Sequence, residues 1–141
     1  MLGRMVARSA HDAAAVPAGE AAGRVDDLRG KHCLVVSYRR DGTPIPTPVW
    51  FGLDEGRVYF RAEGDSGKVK RIRANPTVRL APCDSRGRPT GPLLEATARV
   101  LAPGEEHTAE RAIGTRYGPG RRLYERWFTL PGGVYVECTP A

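Results

Sequence analysis

The residues with the most evident chemical potential run from Arg61 to Pro76, Arg-Ala-Glu-Gly-Asp-Ser-Gly-Lys-Val-Lys-Arg-Ile-Arg-Ala-Asn-Pro. Asp65 or Ser66 suits the N-cap of a helix, and Gly67 leaves the first-turn backbone N–H groups uncovered, so the positive end of that helix faces whatever lies before it. Lys68, Lys70, Arg71 and Arg73 add full charges to those partial ones. Only Val69 and Ile72, three residues apart, can face a core, and Asn75-Pro76 stops the helix because proline restricts the residue before it. The pattern predicts a short helix with a narrow apolar side and a broad cationic one. With a ligand it is an anion cradle; without one it is a solvated surface helix, and the charge run alone does not choose between them.

Other reactive types carry less. His32 begins a strand-like run and His107 a helix-like one, positions that suit structural roles better than proton transfer, and Tyr59 and Tyr124 are read the same way. Cys33, Cys83 and Cys138 are odd in number and lack CxxC or Cys/His spacing, which fits small apolar fillers in a reducing cytoplasm rather than disulfides or zinc. No Ser/His/Asp arrangement, paired carboxylates or phosphate-binding loop supports a hydrolase or kinase.

The chain has 141 residues and a formal net charge of +6. That length suits one domain with a real core, and the charge favours an anionic partner: nucleic acid, acidic membrane or a phosphorylated small molecule. Aromatic residues are only 7% and are not interleaved with the basic run, which weakens the nucleic-acid reading. Apolar runs are interrupted too early for a membrane span or a secretory signal.

Residues 1–24, with Arg4, Arg8 and an Ala-rich run, read as an extension expected to be poorly ordered, and residues 25–141 as the folded domain. A helix-like turn closed by Gly30 precedes a buried strand at 31–38, and Asp41-Gly42 signals a hairpin. The second strand, 45–53, contains Pro46 and Pro48, which cannot donate ladder bonds and belong at an edge, a bulge or a place where something other than a strand approaches. Val49, Phe51 and Leu53 share one face of it and Pro48, Trp50 and Gly52 the other. A third strand, 57–61, turns Val58 and Phe60 inward and Tyr59 and Arg61 outward, placing Arg61 at the mouth of the cradle. Strands at 77–83 and 94–100 flank a polar loop, 84–92. A helix with Ala109, Ala112 and Ile113 on one side follows, then a second at 121–129 carrying Leu123, Tyr124, Trp127 and Phe128, then a last strand at 134–138. Six strands with few helices predict an α+β protein built on a small antiparallel barrel, whose ligand lies outside the barrel or between two subunits.

Taken together, Arg40 to Pro44, Thr47 to Phe51, Tyr59 to Arg61, Ser66 to Arg73 and Asn75-Pro76 resemble the split β-barrel flavin and deazaflavin oxidoreductases related to pyridoxamine 5′-phosphate oxidase. Arg79 to Asp84 and Arg86 to Pro92 are similar to the branch that uses coenzyme F420. The resemblance covers most of residues 25–140. It implies a six-stranded split barrel, mainly antiparallel, and a cofactor phosphate held by Arg61, Ser66, Gly67 and Lys68, with Lys70 and Arg71 beside them. It also implies a ring system along Pro46, Thr47, Pro48 and Val49 through main-chain contacts, with Trp50 nearby. Main-chain N–H groups near Thr47 to Trp50 would polarise the ring. F420, or FMN in the same pocket, would carry the hydride, and no protein nucleophile or metal is required. The family works as homodimers with sites at the interface, so the 121–129 helix is expected to supply a wall from the second subunit. Two functions follow: an F420-dependent oxidoreductase acting on a small organic substrate, or a cofactor- or nucleic-acid-binding protein without turnover.

Overall fold

The computed structural model describes residues 6–15, 22–116 and 132–141. Six strands form: β1 (His32–Tyr38), β2 (Pro44–Asp54), β3 (Arg57–Glu63), β4 (Thr77–Cys83), β5 (Leu94–Val100) and β6 (Gly133–Pro140). They close into an antiparallel barrel in the order β1-β2-β3-β6-β5-β4, the α+β architecture the sequence predicts. Closure follows from alternation. Cys33 and Val35 of β1, Val49 and Phe51 of β2 and Val58 and Phe60 of β3 all point into one buried core, two residues apart along each strand. The β1–β2 hairpin is fixed at Gly42 (φ 88°), with Asp41 Oδ1 accepting the Thr43 N–H at 3.0 Å.

Among the described residues, three α-helices cover the barrel. α2 (Gly67–Ala74) turns Val69 and Ile72 into the same core and so caps one end, as its spacing requires. α3 (His107–Arg116) lies on the outside of β2 and β3, packing Ala109, Ala112 and Ile113 against Tyr59, Leu101 and Tyr135. At its last residue, the Arg116 guanidinium sits 4.1 Å from the Phe51 ring centroid and its Nε donates to the Gly30 carbonyl at 2.9 Å, tying α3 to the chain entering β1.

One segment departs from expectation. Residues Arg8–Ala14, read above as part of a poorly ordered extension, form helix α1, whose Ala10 and Ala14 are buried against Leu34, Val36, Ala81, Cys83 and Leu93. The Ala-rich composition that suggested a frayed tail is what lets a helix backbone approach a flat sheet face closely. The 121–129 helix lies outside the described residues. All three cysteines are free and buried; burial pushes the Cys83 and Cys138 thiols up to about 12 and raises Cys33 as well, so they serve as packing. Among the described residues no helix is long and apolar enough to cross a membrane.

Among the described glycines, the closest backbone approach is at Gly52 of β2, where an added Cβ would lie 2.5 Å from Ala112 O and Ile113 N. Gly52→Ala is therefore expected to push α3 off the barrel and to destabilise the protein by about 1–3 kcal/mol, the range for overpacking. Thermal melting of the variant checks this, and an unchanged melting temperature would mean that α3 does not rest on β2.

Candidate functional site

The barrel has a seam that is only half closed. β1 pairs with β2 along its whole length, from Tyr38↔Pro44 to His32↔Trp50. β3 pairs with β2 only from Phe51↔Phe60 to Asp54↔Arg57 and then continues alone on that side. Residues 44–50 of β2 and 61–63 of β3 therefore diverge and leave one edge of β2 without a neighbouring strand. Proline explains which way that edge faces. Pro46 and Pro48 have no N–H, yet the ladder to β1 runs past both, so the residues bonded to β1 are Ile45, Thr47 and Val49. By the same alternation, the carbonyls of Pro46 and Pro48 and the N–H and carbonyl of Trp50 face the gap. This narrows the sequence reading: the N–H groups of Thr47 and Val49 are engaged by β1, and within that stretch only Trp50 can offer an N–H to a ring in the seam.

The side chains along this strand divide by face. Val49 is in the core and Thr47 lies half-buried on the same side; Pro46 is buried, Pro48 half-buried, and Trp50 is 37% exposed on the outside. Trp50 does not hang free. Its indole Nε1 donates to His32 Nε2 at 2.9 Å, with the rings edge-on at 77°.

At the end of β3 the chain passes into the cationic helix. Ser66 is the N-cap, its Oγ accepting the Val69 N–H at 3.3 Å, while Asp65 stays exposed. A Cβ at Gly67 would fall 2.9 Å from Arg71 Nη1, so the glycine makes room for Arg71 to fold back over the first turn. There Arg71 Nε donates to Ser37 Oγ at 2.7 Å. Burial lowers the pKa of half-buried Lys68, the Arg71 charge lowers it further, and Glu63 acts against both. Arg71 is lowered as well, by burial and then by Arg39 of the hairpin. Three cations, Arg39, Lys68 and Arg71, thus converge where the open edge of β2 begins. Lys70 and Arg73 are exposed.

Arg61 does point outward, as alternation predicts, but the structure does not bring it into this cluster. Its guanidinium packs over the backbone of Gly133, where a Cβ would collide with it, and it draws down the pKa of Glu106, which burial and Glu110 push up. That is the α3 and β6 side of the barrel. Ser37 and His32 were not chosen as site residues from sequence. Ser37 carries a signal after all: it follows Cys33 and Val35 on the inner face of β1, fully buried, and a polar group there needs a partner.

Two surface hollows, of about 250 and 420 Å³, both lie elsewhere, along α3; residues Asp54 and Arg111 border both, and Tyr59, Arg99 and Glu137 line the larger. Their charges are mixed in sign. The seam beside α2 is where like charge gathers, and we take it as the site. It offers a cationic end and a flat backbone edge, but only one wall.

Residues 28–129 match the family profile described as pyridoxamine 5′-phosphate oxidase. Among curated proteins, none matches the sequence. Solved structures similar to this one include an F420 reductase, 22% identical with a TM-score of 0.54, covering 89% of this chain and 96% of the other. An FAD-binding protein from Mesorhizobium loti is 12% identical with a TM-score of 0.55, covering 79% of each chain. The heme storage protein HutZ from Vibrio cholerae is 10% identical with a TM-score of 0.62, covering 79% and 82%. At such identities the likeness is one of fold, and the ligands named for these proteins differ. The family match spans well over half of the chain, from the turn before β1 through all of α3, and on that ground the chain belongs to the pyridoxamine 5′-phosphate oxidase family.

Proposed function

We propose that the protein is an oxidoreductase that uses coenzyme F420 to pass a hydride to or from a small organic substrate, with FMN as the nearest alternative in the same seam. The observation that carries this reading is the crowding of half-buried Lys68 and Arg71, with exposed Arg39 acting on Arg71, beside an unpaired strand edge. Crowded like charges in a partly desolvated place raise one another's cost unless an anion lies among them, and a phosphate does so with charge-assisted hydrogen bonds. The match to the F420 reductase over nearly the whole of both chains supports the choice of F420, as does the resemblance at Arg79 to Asp84 and Arg86 to Pro92.

The bound ring would supply the hydride chemistry. The chain's own work is placement. Lys68 and Arg71 hold the phosphate, and the Ser37 bond keeps Arg71 aimed at it. Ser66 keeps the first turn of α2 formed. The carbonyls of Pro46 and Pro48 and the N–H of Trp50 border the ring, on a stretch stiffened by two prolines. The second wall comes from a second copy of the chain, making the protein a homodimer with two sites. Iron ligation by histidine, as a heme would favour, finds little support: His11 and His107 are exposed on the outer helices, and His32 Nε2 is engaged by Trp50.

Titration with F420 and, separately, with FMN, followed by cofactor fluorescence, is expected to show saturable binding of at least one, and binding of neither would sink the proposal. Lys68→Ala should weaken binding by about 1.5–3 kcal/mol, the range for a hydrogen bond to a charged group. Lys70→Ala should cost about 1 kcal/mol or less, as for an exposed charge. The pH dependence has a definite sign. Phosphate binds the charged form of Lys68, whose pKa in the free protein is lowered from 10.5, so the dissociation constant should rise as pH climbs toward that value, and Lys68→Arg should flatten the rise. Light scattering should give twice the chain mass; a monomer that still binds cofactor fully would remove the second wall from the proposal.

A further inference from the structure

Resting on the reading of the seam as an anion site, we propose that Lys68 is an acyl acceptor: an acyl phosphate, drawn in by its phosphate, transfers its acyl group to the Lys68 amine, and the amide that forms shuts the cofactor's phosphate out.

Lysine is scarce in this chain. Of its 22 cationic side chains only Lys31, Lys68 and Lys70 carry an amine; the rest are arginines, which stay protonated and do not act as nucleophiles. Lys31 and Lys70 are exposed, whereas Lys68 is half-buried, so the three differ in surroundings and not in chemistry. Three elements set the surroundings of Lys68. On its own helix, Arg71 folds back over Gly67, so close that a Cβ there would fall 2.9 Å from Nη1, and its Nε is tied to Ser37 Oγ at 2.7 Å. The guanidinium is therefore fixed beside Lys68, with its Nη groups left to bind oxygens. From β3, Glu63 acts on Lys68 with the opposite sign, and from the β1–β2 hairpin exposed Arg39 acts on Arg71.

Two requirements of acyl transfer meet in this cluster. The donor is an anion, and a partly desolvated site of one sign of charge concentrates it, by about 10- to 1000-fold in clefts of that kind. The acceptor must be the neutral amine, and burial, then the Arg71 charge, shift Lys68 toward that form relative to an ordinary lysine. The groups that gather the donor also ready the nucleophile.

The step needs no further reactant. The lone pair of Lys68 Nζ attacks the carbonyl carbon, the N–C bond forms, and the C–O bond to phosphate breaks with its electron pair leaving on the phosphate. The amine proton passes to the departing phosphate dianion, and Arg71 supports that group as its charge develops. The product amide is uncharged and bulkier, so the cluster loses one of its two half-buried cations.

The test incubates the full chain with acetyl phosphate at neutral pH and reads acetylation of Lys31, Lys68 and Lys70 by peptide mass spectrometry. Lys68 should react about tenfold or more faster than either exposed lysine, the low end of the concentrating effect, and inorganic phosphate should erase the excess. N-acetoxysuccinimide, an acyl donor without charge, should lose most of that preference. Arg71→Gln should remove the preference while Lys31 and Lys70 react as before; if that variant does not fold, phosphate competition in the unaltered chain decides the same point. In the Lys31→Arg, Lys70→Arg double variant Lys68 is the one side-chain amine left, and its acetylation should raise the dissociation constant of F420 or FMN about ten- to a hundredfold, the worth of a hydrogen bond to a charged group. Equal acetylation of the three lysines overturns the proposal. So does a preference that phosphate leaves intact, one that the uncharged donor shows as strongly, or an acetylated Lys68 that leaves cofactor binding unchanged; in each case F420 or FMN that still binds keeps the seam as the cofactor site. A phosphate-sensitive preference for Lys68 in a protein that binds neither cofactor overturns the cofactor reading of the seam and supports acyl transfer to Lys68 at an anion site.

Discussion

Two of the three prolines in one strand, Pro46 and Pro48, decide the shape of this protein. A strand in a closed barrel normally donates and accepts on both edges, and Pro46 and Pro48 can donate on neither. Because the register with β1 uses Ile45, Thr47 and Val49, the missing donors all fall on the other edge, where β3 would otherwise continue its ladder. β3 zips onto β2 for four residues and then parts from it, free to run into the turn that launches α2. The half-closed seam and the position of the cationic helix are two results of the same constraint. An unpaired edge on a barrel also invites pairing with another chain, and a proline-bearing edge resists that in its strand form while remaining open to a flat ligand or to side chains.

The helix beside the seam illustrates how a costly feature is held in place. Eight residues are too few for a helix to be stable by propensity, and four of these carry positive charge. Val69 and Ile72, buried in the barrel core, offset that by anchoring the helix through packing. Arg71 is restrained by a hydrogen bond to a serine on β1, so its guanidinium cannot escape into solvent as Lys70 and Arg73 do. Core packing of α2 and the bond to Ser37 thus keep Lys68 and Arg71 close despite their repulsion, which is the preorganisation an anion site needs.

Much of this was legible in the residues. Apolar runs and period-2 alternation placed all six strands, and β4 and β5 coincide with the stretches read from sequence. Val69 and Ile72 were recognisable as the buried side of α2 from spacing alone, and Ser66 as one of two caps. What could not be read were contacts set by the closure of the barrel. Ser37 and Arg71 are 34 positions apart and His32 and Trp50 are 18 apart, and no local period links either pair. Arg61 shows the limit in another form: alternation gave its face correctly, but a long side chain leaving that face can swing toward either neighbour, and a glycine at 133 opened the β6 side to it. Helix α1 was hidden because alanine-rich sequence looks alike whether it frays in water or lies against a sheet; Leu34 and Val36 on the outer face of β1 determine which.

The crowding that marks the site also couples it to the stability of the whole chain. A lysine whose pKa is lowered in the folded state favours unfolding wherever the unfolded chain binds the proton more tightly, so the folded protein is less stable at neutral pH than it would be with Lys68 relaxed. That contribution grows as pH falls from the ordinary lysine value of 10.5 through the lowered one and is constant below it. An anion seated between Lys68 and Arg71 reverses its sign, because the charged form then gains partners that exist only in the folded state. A bound anion would stabilise the fold by mass action, with the relief of the repulsion entering through a lower dissociation constant. Since Val69 and Ile72 join α2 to the barrel core, any such gain would be transmitted to the end of the barrel that the helix closes, coupling an anion held by Lys68 and Arg71 to the fold.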